Sequence, residues 1–258
     1  MPEGDTIRFA ANRMRPALVG RIPDEIATPQ PRHALDRWPQ RLAGRAIRSI
    51  DPHGKHLFVR FEGGLTLHSH LRMTGAWAVH ERGRGWRRSP RRAWLVMTTP
   101  THEVVEFDGP VLELLTDSRT RFDQRLSAMG PDVLAESGFD SRRFLRRLRE
   151  GDPVRGIGDA LIDQRVVAGI GNVWKAEACW SAGIDPWRPV HTVSDGEALA
   201  IIEQARSGMQ ESAHTGRPRR RSVYGRGGRP CPRCGQDIRG RGQGDDNRTT
   251  YWCTGCQR

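Results

Sequence analysis

The spacing of apolar residues divides the chain into a strand-rich half and a helical half. Apolar positions recur at roughly 3.6-residue intervals over residues 5–18, which predicts one helix near the start. From about residue 45 to 125 apolar and polar residues alternate, as in HLFVRF at 56–61, which predicts strands. From about residue 142 the helical spacing returns and predicts several helices.

These patterns predict an α+β protein with three domains. We expect a β-rich domain led by one helix over residues 1–125, a helical domain over 126–215 and a small cysteine-containing hairpin over 216–258. The stretch 216–230 is rich in arginine and glycine. It is compatible with a solvated linker and equally with an arm that contacts DNA.

The balance of charge narrows the class of binding partner. The chain has 42 Lys and Arg residues against 30 Asp and Glu, a net charge of +12. This excess favours nucleic acid as the partner, with an anionic membrane surface as the alternative. No apolar run approaches the roughly 18 residues of a membrane span, and Asp5 and Arg8 interrupt any signal-peptide core. We therefore expect a cytoplasmic protein without membrane association, and the lack of a heptad pattern favours a monomer.

Only two of the basic residues are lysines, Lys55 and Lys175. An ammonium group is a compact, titratable charge, whereas a guanidinium group is a wide fork of donors. A lysine retained in a chain so rich in arginine therefore suggests a position where arginine would not serve. Chance is an equally good explanation for either lysine alone.

Four cysteines near the C-terminus have the spacing of a metal site. Cys231 and Cys234 form one C-x2-C pair, Cys253 and Cys256 form another, and 18 residues separate the pairs. We predict one structural zinc ion, because each pair aims two thiolates at one point and leaves no ligand position for water. Two disulfides are the alternative, which a reducing cytoplasm disfavours. The fifth cysteine, Cys179, is expected to be a small core residue.

A glycine-containing turn between two predicted helices offers a second candidate site. The sequence AGIGN ends at Asn172, where the next helix is predicted to begin, and the glycines at 169 and 171 permit close backbone approach. Asn172 is expected either to cap this helix or to bind a phosphate together with the free N–H groups there. Arg248 lies five residues before Cys253, near the predicted hairpin tip. It is expected to be either solvated or bound to phosphate.

Six short motifs occur in one order: MPEG, GKHL, SHLRMTG, GPDVL, GIGNVWKAE and YWCTGCQR. This order resembles the formamidopyrimidine-DNA glycosylase and endonuclease VIII family of base-excision repair enzymes over essentially the whole chain. The resemblance implies an N-terminal β-sandwich, a helix-two-turn-helix domain and a zinc-ribbon hairpin. It also implies a DNA glycosylase with AP lyase activity that acts on damaged double-stranded DNA. The PEG and YWCTGCQ motifs look more like the endonuclease VIII branch, which removes oxidised pyrimidines, than the branch that acts on oxidised purines.

The resemblance implies that the active site lies at the N-terminal tip. Removal of Met1 would expose the secondary amine of Pro2 as the nucleophile, and an α-amino group titrates near pH 8, so that a useful fraction is neutral. The resulting iminium would serve as an electron sink for β,δ-elimination of the strand phosphates. Glu3 would carry protons to the opening sugar and the leaving groups. Lys55 in GKHL would contact a phosphate near the lesion and assist proton transfer.

Further residues match positions of the family that hold DNA. Asn172 and Arg248 match residues that grip the phosphates flanking the flipped nucleotide, and we count Arg248 with the catalytic residues. A flipped base leaves a gap in the duplex that a side chain must fill. Met73 is our candidate for this role, with Leu71 and Arg72 beside it. An ordinary hydrophobic turn is the alternative.

One departure from the family pattern and two alternative functions remain to be considered. Asp5 and Thr6 stand where many members of the family have Pro-Glu, so the hydrogen bonding of the active site and the range of lesions are expected to differ. An oxidised-purine glycosylase is the alternative within the family. A non-catalytic DNA-binding protein on the same scaffold would explain the charge, the zinc and Asn172. It would not explain the occurrence of Pro2, Glu3 and Lys55 together.

Overall fold

The computed structural model describes residues 2–31, 36–217 and 220–258. The chain divides into two compact units, of which the first contains Pro2 and Thr6–Ser127 and the second contains Glu3–Asp5 and Ala128–Arg258. Strands predominate in the first unit and helices in the second, so the predicted α+β class is confirmed. Among the described residues, no helix combines the length and apolar composition that crossing a bilayer requires.

Helix α1 (Gly4–Leu18) forms where the apolar spacing predicted a helix. Ile7, Ala11, Met14 and Leu18 follow one another at intervals of three or four residues, and each is buried. This spacing places them on one face of the helix, which packs into the core of the first unit.

Eight strands form most of the first unit: β1 (Glu25–Ala27), β2 (Ile47–His53), β3 (His56–Phe61), β4 (Leu65–His70), β5 (Ala76–Glu81), β6 (Ala93–Thr98), β7 (His102–Phe107) and β8 (Val111–Thr116). They form two antiparallel sheets, with the orders β2-β3-β4-β8 and β1-β6-β7-β5. Apolar side chains from both sheets share one core, which includes Leu57 and Leu67 of the first sheet and Met97 and Val104 of the second. The predicted β-sandwich is therefore present, and β1 and β5 lie at the edges of the second sheet.

Three short helices were not predicted: α2 (Trp38–Leu42), α3 (Asp117–Phe122) and α4 (Gln124–Ser127). The last two occupy the end of the stretch that we expected to be strands up to residue 125. Helix α3 begins because the side chain of Thr116 accepts a hydrogen bond from the N–H of Arg119. A single capping residue starts this helix, whereas our prediction relied on apolar periodicity over a longer window.

The described residues of the second unit form four α-helices: α5 (Ser141–Glu150), α6 (Ile157–Ile162), α7 (Asn172–Ala182) and α8 (Asp195–Thr215). Helix α8 begins with a reciprocal pair of hydrogen bonds between Ser194 and Glu197, and it ends at Gly216 in the left-handed conformation. Trp174 of α7 and Ile201 of α8 lie in one large core, together with Cys179, which is fully buried as expected.

The second unit ends in an antiparallel hairpin of β9 (Ile238–Gln243) and β10 (Arg248–Cys253). The hairpin has a small apolar cluster that contains Ile238 and Val223 and also Ala176 of α7. Of the arginine- and glycine-rich stretch 216–230, residues 218 and 219 lie outside the described residues. The division of the chain into the three domains 1–125, 126–215 and 216–258 stays a prediction.

Candidate functional site

The carboxylate of Glu3 is bound at the start of α7. The N–H of Gly171 donates to Oε2 at 2.9 Å, the N–H of Val173 donates to Oε1 at 2.9 Å, and the N–H of Trp174 donates to Oε2 at 3.2 Å. Glu3 is 2% exposed. The first N–H groups of a helix lack partners within the helix and form the positive end of its dipole, so they stabilise a carboxylate at this position.

This contact corrects the expected cap at Asn172 and the expected availability of the N–H groups beside it, whereas phosphate binding by the Asn172 side chain stays a prediction. Asn172 is the first residue of α7 and does not cap it, because Gly171 occupies the N-cap position without a side-chain hydrogen bond. The carboxylate of Glu3, which lies 168 residues before Gly171 in the chain, accepts the hydrogen bonds that a capping side chain would otherwise accept. Three N–H groups that we expected to be available to a phosphate are therefore already bound to a carboxylate.

Glycines allow the N-terminal tip to approach α7 this closely. A Cβ atom on Gly171 would lie 2.3 Å from Cδ of Glu3, so no larger residue fits without displacing the carboxylate. Gly169 has a φ of 105°, which residues with a side chain rarely adopt. Its carbonyl oxygen accepts a hydrogen bond of 2.9 Å from the N–H of Gly4. The expected close backbone approach at these glycines is therefore present, and the N-terminal tip is what approaches.

Asp5 attaches the same tip to α8. Its Oδ2 accepts a hydrogen bond of 2.6 Å from Oγ of Ser212, and both residues are buried. Thr6 is exposed. The aspartate that departs from the usual family pattern thus fixes the backbone next to Glu3. Pro2, which precedes Glu3 directly, is half-buried.

Lys55 lies in the first unit, in the two-residue turn between β2 and β3. Gly54 precedes it with a φ of 56°, which suits the first central position of a tight hairpin. Two histidines, His56 and His70, lie near this lysine. Burial lowers the pKa of His56 to about 2 and that of His70 to about 4. Both imidazoles are therefore neutral at neutral pH and add no positive charge beside Lys55.

The histidines belong to a cluster that sequence reasoning missed. Nδ1 of His56 lies 2.8 Å from Nε2 of His68, and Nδ1 of His68 lies 3.2 Å from Oε2 of Glu113. The ring of His70 contacts that of His56 edge-on, with 4.7 Å between the ring centroids. The available signal in the sequence was the alternation of ring-bearing residues, His56 and Phe58 in HLF and His68 and His70 in LHSH. Antiparallel pairing of two such strands places His56 opposite His70 and Phe58 opposite His68.

The three residues that we expected to fill the gap in the duplex lie in the turn after β4 and differ in their exposure. Leu71 is buried in the core of the first unit, so its side chain cannot reach DNA and that expectation is corrected. Met73 is 66% exposed. Arg72 is exposed, with a φ of 48°, and its N–H donates to Nδ1 of His70 at 3.1 Å. The turn therefore presents Arg72 and Met73 to the surroundings.

Asn172 and Arg248 lie close to each other in the second unit. Nδ2 of Asn172 donates a hydrogen bond of 2.9 Å to the carbonyl oxygen of Thr249, the neighbour of Arg248. Arg248 is the first residue of β10, and its guanidinium group pairs with Asp246 at 2.8 Å. This ion pair is substantially exposed, so an anion can compete for the guanidinium group at little cost.

Lys175, to which we assigned no role, is fully buried between α7 and the hairpin. Its Nζ donates a hydrogen bond to Oγ1 of Thr250, which in turn donates to Oε1 of Gln243. Nε2 of Gln243 donates to the carbonyl oxygen of Pro186. Burial lowers the pKa of Lys175 to about 8. One ammonium group thus connects α7 to both strands of the hairpin.

The four C-terminal cysteines converge as their spacing predicted. Their Sγ atoms all lie within 4.8 Å of one another, with 3.8 Å between Cys231 and Cys256 and 3.4 Å between Cys234 and Cys253. None of the four forms a disulfide. A tetrahedral ion at about 2.3 Å from each sulfur requires sulfur atoms about 3.8 Å apart, so the group can hold one metal ion.

Comparisons with known proteins match the same two regions of the chain. The model of the formamidopyrimidine-DNA glycosylase N-terminal domain matches residues 1–123, and that of the formamidopyrimidine-DNA glycosylase H2TH domain matches residues 129–222. A probable endonuclease 8 2 of Streptomyces coelicolor is 42% identical, and the match covers 100% of this chain and 94% of that protein. A DNA-(apurinic or apyrimidinic site) lyase Nei2 of Mycolicibacterium smegmatis is 35% identical over 100% of this chain and 99% of its own.

The fold is likewise that of a solved structure. The Fpg (MutM) protein of Lactococcus lactis, in complex with DNA containing an oxidised pyrimidine, superimposes with a TM-score of 0.82 at 23% identity over 100% of both chains. The N-terminal sheets, the helical part and the cysteine cluster described above are all consistent with that fold. The chain belongs to the formamidopyrimidine-DNA glycosylase and endonuclease VIII family and is an enzyme of the DNA glycosylase and AP lyase class.

Proposed function

We propose that this enzyme removes oxidised pyrimidines from double-stranded DNA and then cleaves the strand, with the amine of Pro2 as its nucleophile. The attachment of the N-terminal tip carries this proposal. Glu3 and Asp5, the residues that follow Pro2, are each buried and hydrogen-bonded within the second unit. A chain terminus is ordinarily the least ordered part of a protein, and so many buried polar contacts at this one favour a role that requires a fixed position.

In the proposed mechanism the neutral amine of Pro2 attacks C1′ of the damaged nucleotide. The bond between C1′ and the base breaks, the base leaves with a proton, and the sugar ring opens to an iminium on the proline nitrogen. The iminium accepts the electron pair released by loss of a C2′ proton, which expels the 3′ phosphate. A second elimination expels the 5′ phosphate. Glu3 carries the proton between the amine, the ring oxygen and the leaving groups, and its backbone contacts hold its carboxylate in place for this role.

The DNA backbone is held in this proposal by Lys55 of the first unit and by Asn172 and Arg248 of the second. Asn172 donates one amide hydrogen to Thr249, and the second is directed to a phosphate. Met73 enters the gap left by the flipped nucleotide, which its exposure supports. The net charge of +12 gives the further expectation that affinity for undamaged duplex falls steeply as salt rises.

The pyrimidine preference rests on the relatives and on the sequence motifs. The two curated relatives carry endonuclease 8 or Nei names, which matches the branch that the PEG and YWCTGCQ motifs indicated. A preference for 8-oxoguanine is the alternative, and paired substrates separate the two. We expect faster incision of duplex containing 5-hydroxyuracil than of the same duplex containing 8-oxoguanine. The reverse order would move the enzyme to the purine branch without changing its nucleophile.

Borohydride trapping tests the nucleophile directly. The purified protein is incubated with duplex containing an abasic site and reduced, and the cross-linked peptide is identified by mass spectrometry. We expect the adduct on Pro2, and its loss when an alanine inserted before Pro2 converts the proline amine into a peptide nitrogen, which is not nucleophilic. Glu3→Gln is expected to suppress base removal, whereas Thr6→Ala, at an exposed position of the same tip, leaves it unchanged. Binding without any adduct would favour a non-catalytic binder, and an adduct on Lys55 would transfer the nucleophile to that residue.

Zinc is the metal that the four-cysteine site favours, because four thiolates in tetrahedral geometry form a closed structural site. Cys231, Cys234, Cys253 and Cys256 would hold it, and the ion would fix the hairpin that carries Arg248. Removal of the metal by a chelator is expected to abolish incision while leaving the secondary structure of the strand-rich unit intact in circular dichroism. Full incision by protein that elemental analysis shows to be metal-free would contradict this assignment.

A further inference from the structure

A groove in the first unit runs along one edge of the second sheet, outside the residues assigned to catalysis. It has a volume of about 840 Å³ and lies between α1 and β5. Its lining includes the half-buried aromatic side chains of Phe9 and Trp77, which form an apolar floor, together with the five consecutive residues 77–81 of β5. Alternate residues of a strand point to opposite faces, so a groove lined by consecutive residues follows the edge of the strand.

The edge of β5 is open for pairing. Within the part of the chain that the structure describes, β5 pairs with β7 on one side and with no strand on the other. The carbonyl oxygen of Val79 accepts a hydrogen bond of 3.4 Å from Nη2 of Arg13, so the backbone of Val79 faces α1 and the groove. The six residues of β5 include no proline, lysine or arginine, which commonly protect an edge strand from added partners.

The rim of the groove is strongly basic. Arg13 of α1 and Arg84 and Arg87 of the connection to β6 line it. That connection, residues 82–92, has six arginines and no acidic residue. Arg82 pairs with Asp24, and Arg88 and Arg92 pair with Asp108. Arg84 forms an exposed ion pair with Glu81 at 2.7 Å, whereas Arg13 and Arg87 form no ion pair with any described residue. The groove therefore combines an apolar floor, an open strand edge and unneutralised positive charge.

We propose that this groove binds an acidic segment of a partner protein, which adds to β5 as a fifth strand of the sheet. The backbone of such a segment offers both donors and acceptors to the open edge. Its carboxylates pair with Arg13 and Arg87, because guanidinium groups bind carboxylates in two-pronged geometry. An apolar side chain of the segment covers Phe9 and Trp77.

The same observations argue against two other occupants. A single-stranded nucleic acid would satisfy the arginines, but its phosphates offer no donors to the carbonyl groups of the strand edge. A second copy of this chain would pair edge to edge, but it would also bring Arg13, Arg84 and Arg87 of each copy close to the same residues of the other. An acidic peptide is the occupant that fits both the charge and the backbone pattern.

Fluorescence anisotropy with the full-length protein tests the proposal. The ligands are fluorescein-labelled peptides of ten residues in which Asp or Glu alternates with Val, Ile or Phe. The controls are the same peptides with Lys in place of the acidic residues, and the oligonucleotide dT10. We expect micromolar binding of acidic peptides only, and slower hydrogen exchange at the amides of residues 77–81 when they bind.

Three variants locate the binding site. The double variant Arg13→Glu and Arg87→Glu is expected to weaken binding at least about tenfold. Arg48→Glu, which reverses an exposed charge on β2 of the other sheet, is expected to change it less than about twofold. Val79→Pro removes one N–H from the open edge and is expected to weaken binding without altering incision of abasic DNA. Circular dichroism confirms that each variant is folded.

Three results would overturn the proposal. The first is the absence of binding by every acidic peptide at about 1 mM, a concentration at which even weak peptide complexes form. The second is binding of dT10 that is lost in the double arginine variant, which would assign the groove to nucleic acid. The third is self-association of the protein that Val79→Pro abolishes, which would assign the open edge to a second copy of the chain.

Discussion

Helix α7 and the turn after β4 both contact DNA in our proposal, but the side chains that we name on α7 are buried, whereas those in the turn are exposed. On α7, Asn172, Lys175 and Glu177 are all buried, and each is hydrogen-bonded to a distant part of the second unit. In the turn, Arg72 and Met73 are exposed, and the backbone N–H of Arg72 donates a hydrogen bond to Nδ1 of His70.

This difference in burial indicates two tasks, holding a fixed structure and moving into DNA. Buried polar groups that are hydrogen-bonded to distant residues hold one arrangement, because breaking those bonds leaves their partners unpaired in a low-dielectric interior. Helix α7 therefore serves as a fixed frame for the N-terminal tip and the hairpin. An exposed side chain such as Met73 loses little when it moves, which suits a group that enters DNA only after a base has left. Substitutions in the frame should thus affect stability, and substitutions in the turn should affect base excision.

The largest expected effect in this comparison is at Glu177. Its carboxylate accepts hydrogen bonds of 2.8 to 3.0 Å from the N–H groups of Ser222, Val223 and Tyr224, which lead into the hairpin. Glu177→Ala leaves these three donors without the carboxylate and is expected to lower the free energy of unfolding by about 3 kcal/mol. Denaturation by guanidinium chloride measures the loss.

A matched substitution on α8 makes this test specific. Glu203 is exposed, and Glu203→Ala is expected to change the free energy of unfolding by less than about 0.5 kcal/mol. Equal effects of the two substitutions would show that Glu177 does not hold the segment 222–224. Because Glu177 accepts three hydrogen bonds from that segment, this result would contradict the interpretation of α7 as a fixed frame.

The sequence predicted the elements that leave a local pattern. The apolar spacing located α1, the alternation located several strands, and the two C-x2-C pairs located the metal site. The contact between Glu3 and α7 leaves no such pattern, because it joins residues 168 or more positions apart. Asn172 was therefore expected to have the task that Glu3 performs. Lys175 stood out by its rarity, but only the folded chain shows what it contacts.

A smaller effect is expected from the titration of Lys175. Its pKa in the folded protein, about 8, lies below the ordinary value of 10.5, so the unfolded chain binds the proton more tightly. Stability therefore rises with pH between about 8 and 10.5, as the unfolded state loses the proton that the folded state has already released. We expect the wild type to gain about 2 kcal/mol relative to Lys175→Met between pH 8 and pH 10.

Denaturation of both proteins at pH 7, 8, 9 and 10 measures this difference, and the comparison cancels the titration of groups that they share. Below about pH 7 the difference is expected to be constant, because the folded and unfolded states are then both protonated at Lys175. A difference that stays constant up to pH 10 would show that the folded protein leaves this ammonium group with its ordinary pKa, and that its burial imposes no electrostatic cost.

The smallest expected change in free energy, and the most selective one, is at Met73. Met73→Ala removes an exposed side chain, so the free energy of unfolding is expected to change by less than about 0.5 kcal/mol. Excision of 5-hydroxyuracil from duplex is expected to slow about tenfold, because the gap left by the flipped base is no longer filled. Incision at an abasic site, where no base must be removed, is expected to slow much less.

The ratio of these two rates is the informative quantity. Ile22→Ala, at another exposed apolar position of the first unit, is the matched control and is expected to leave both rates unchanged. If Met73→Ala slowed both reactions equally, Met73 would act in binding DNA in general and not in extruding a base. If it altered neither, the turn after β4 would have no part in base excision, and Arg72 would be the next residue to test because it is the other side chain that this turn exposes.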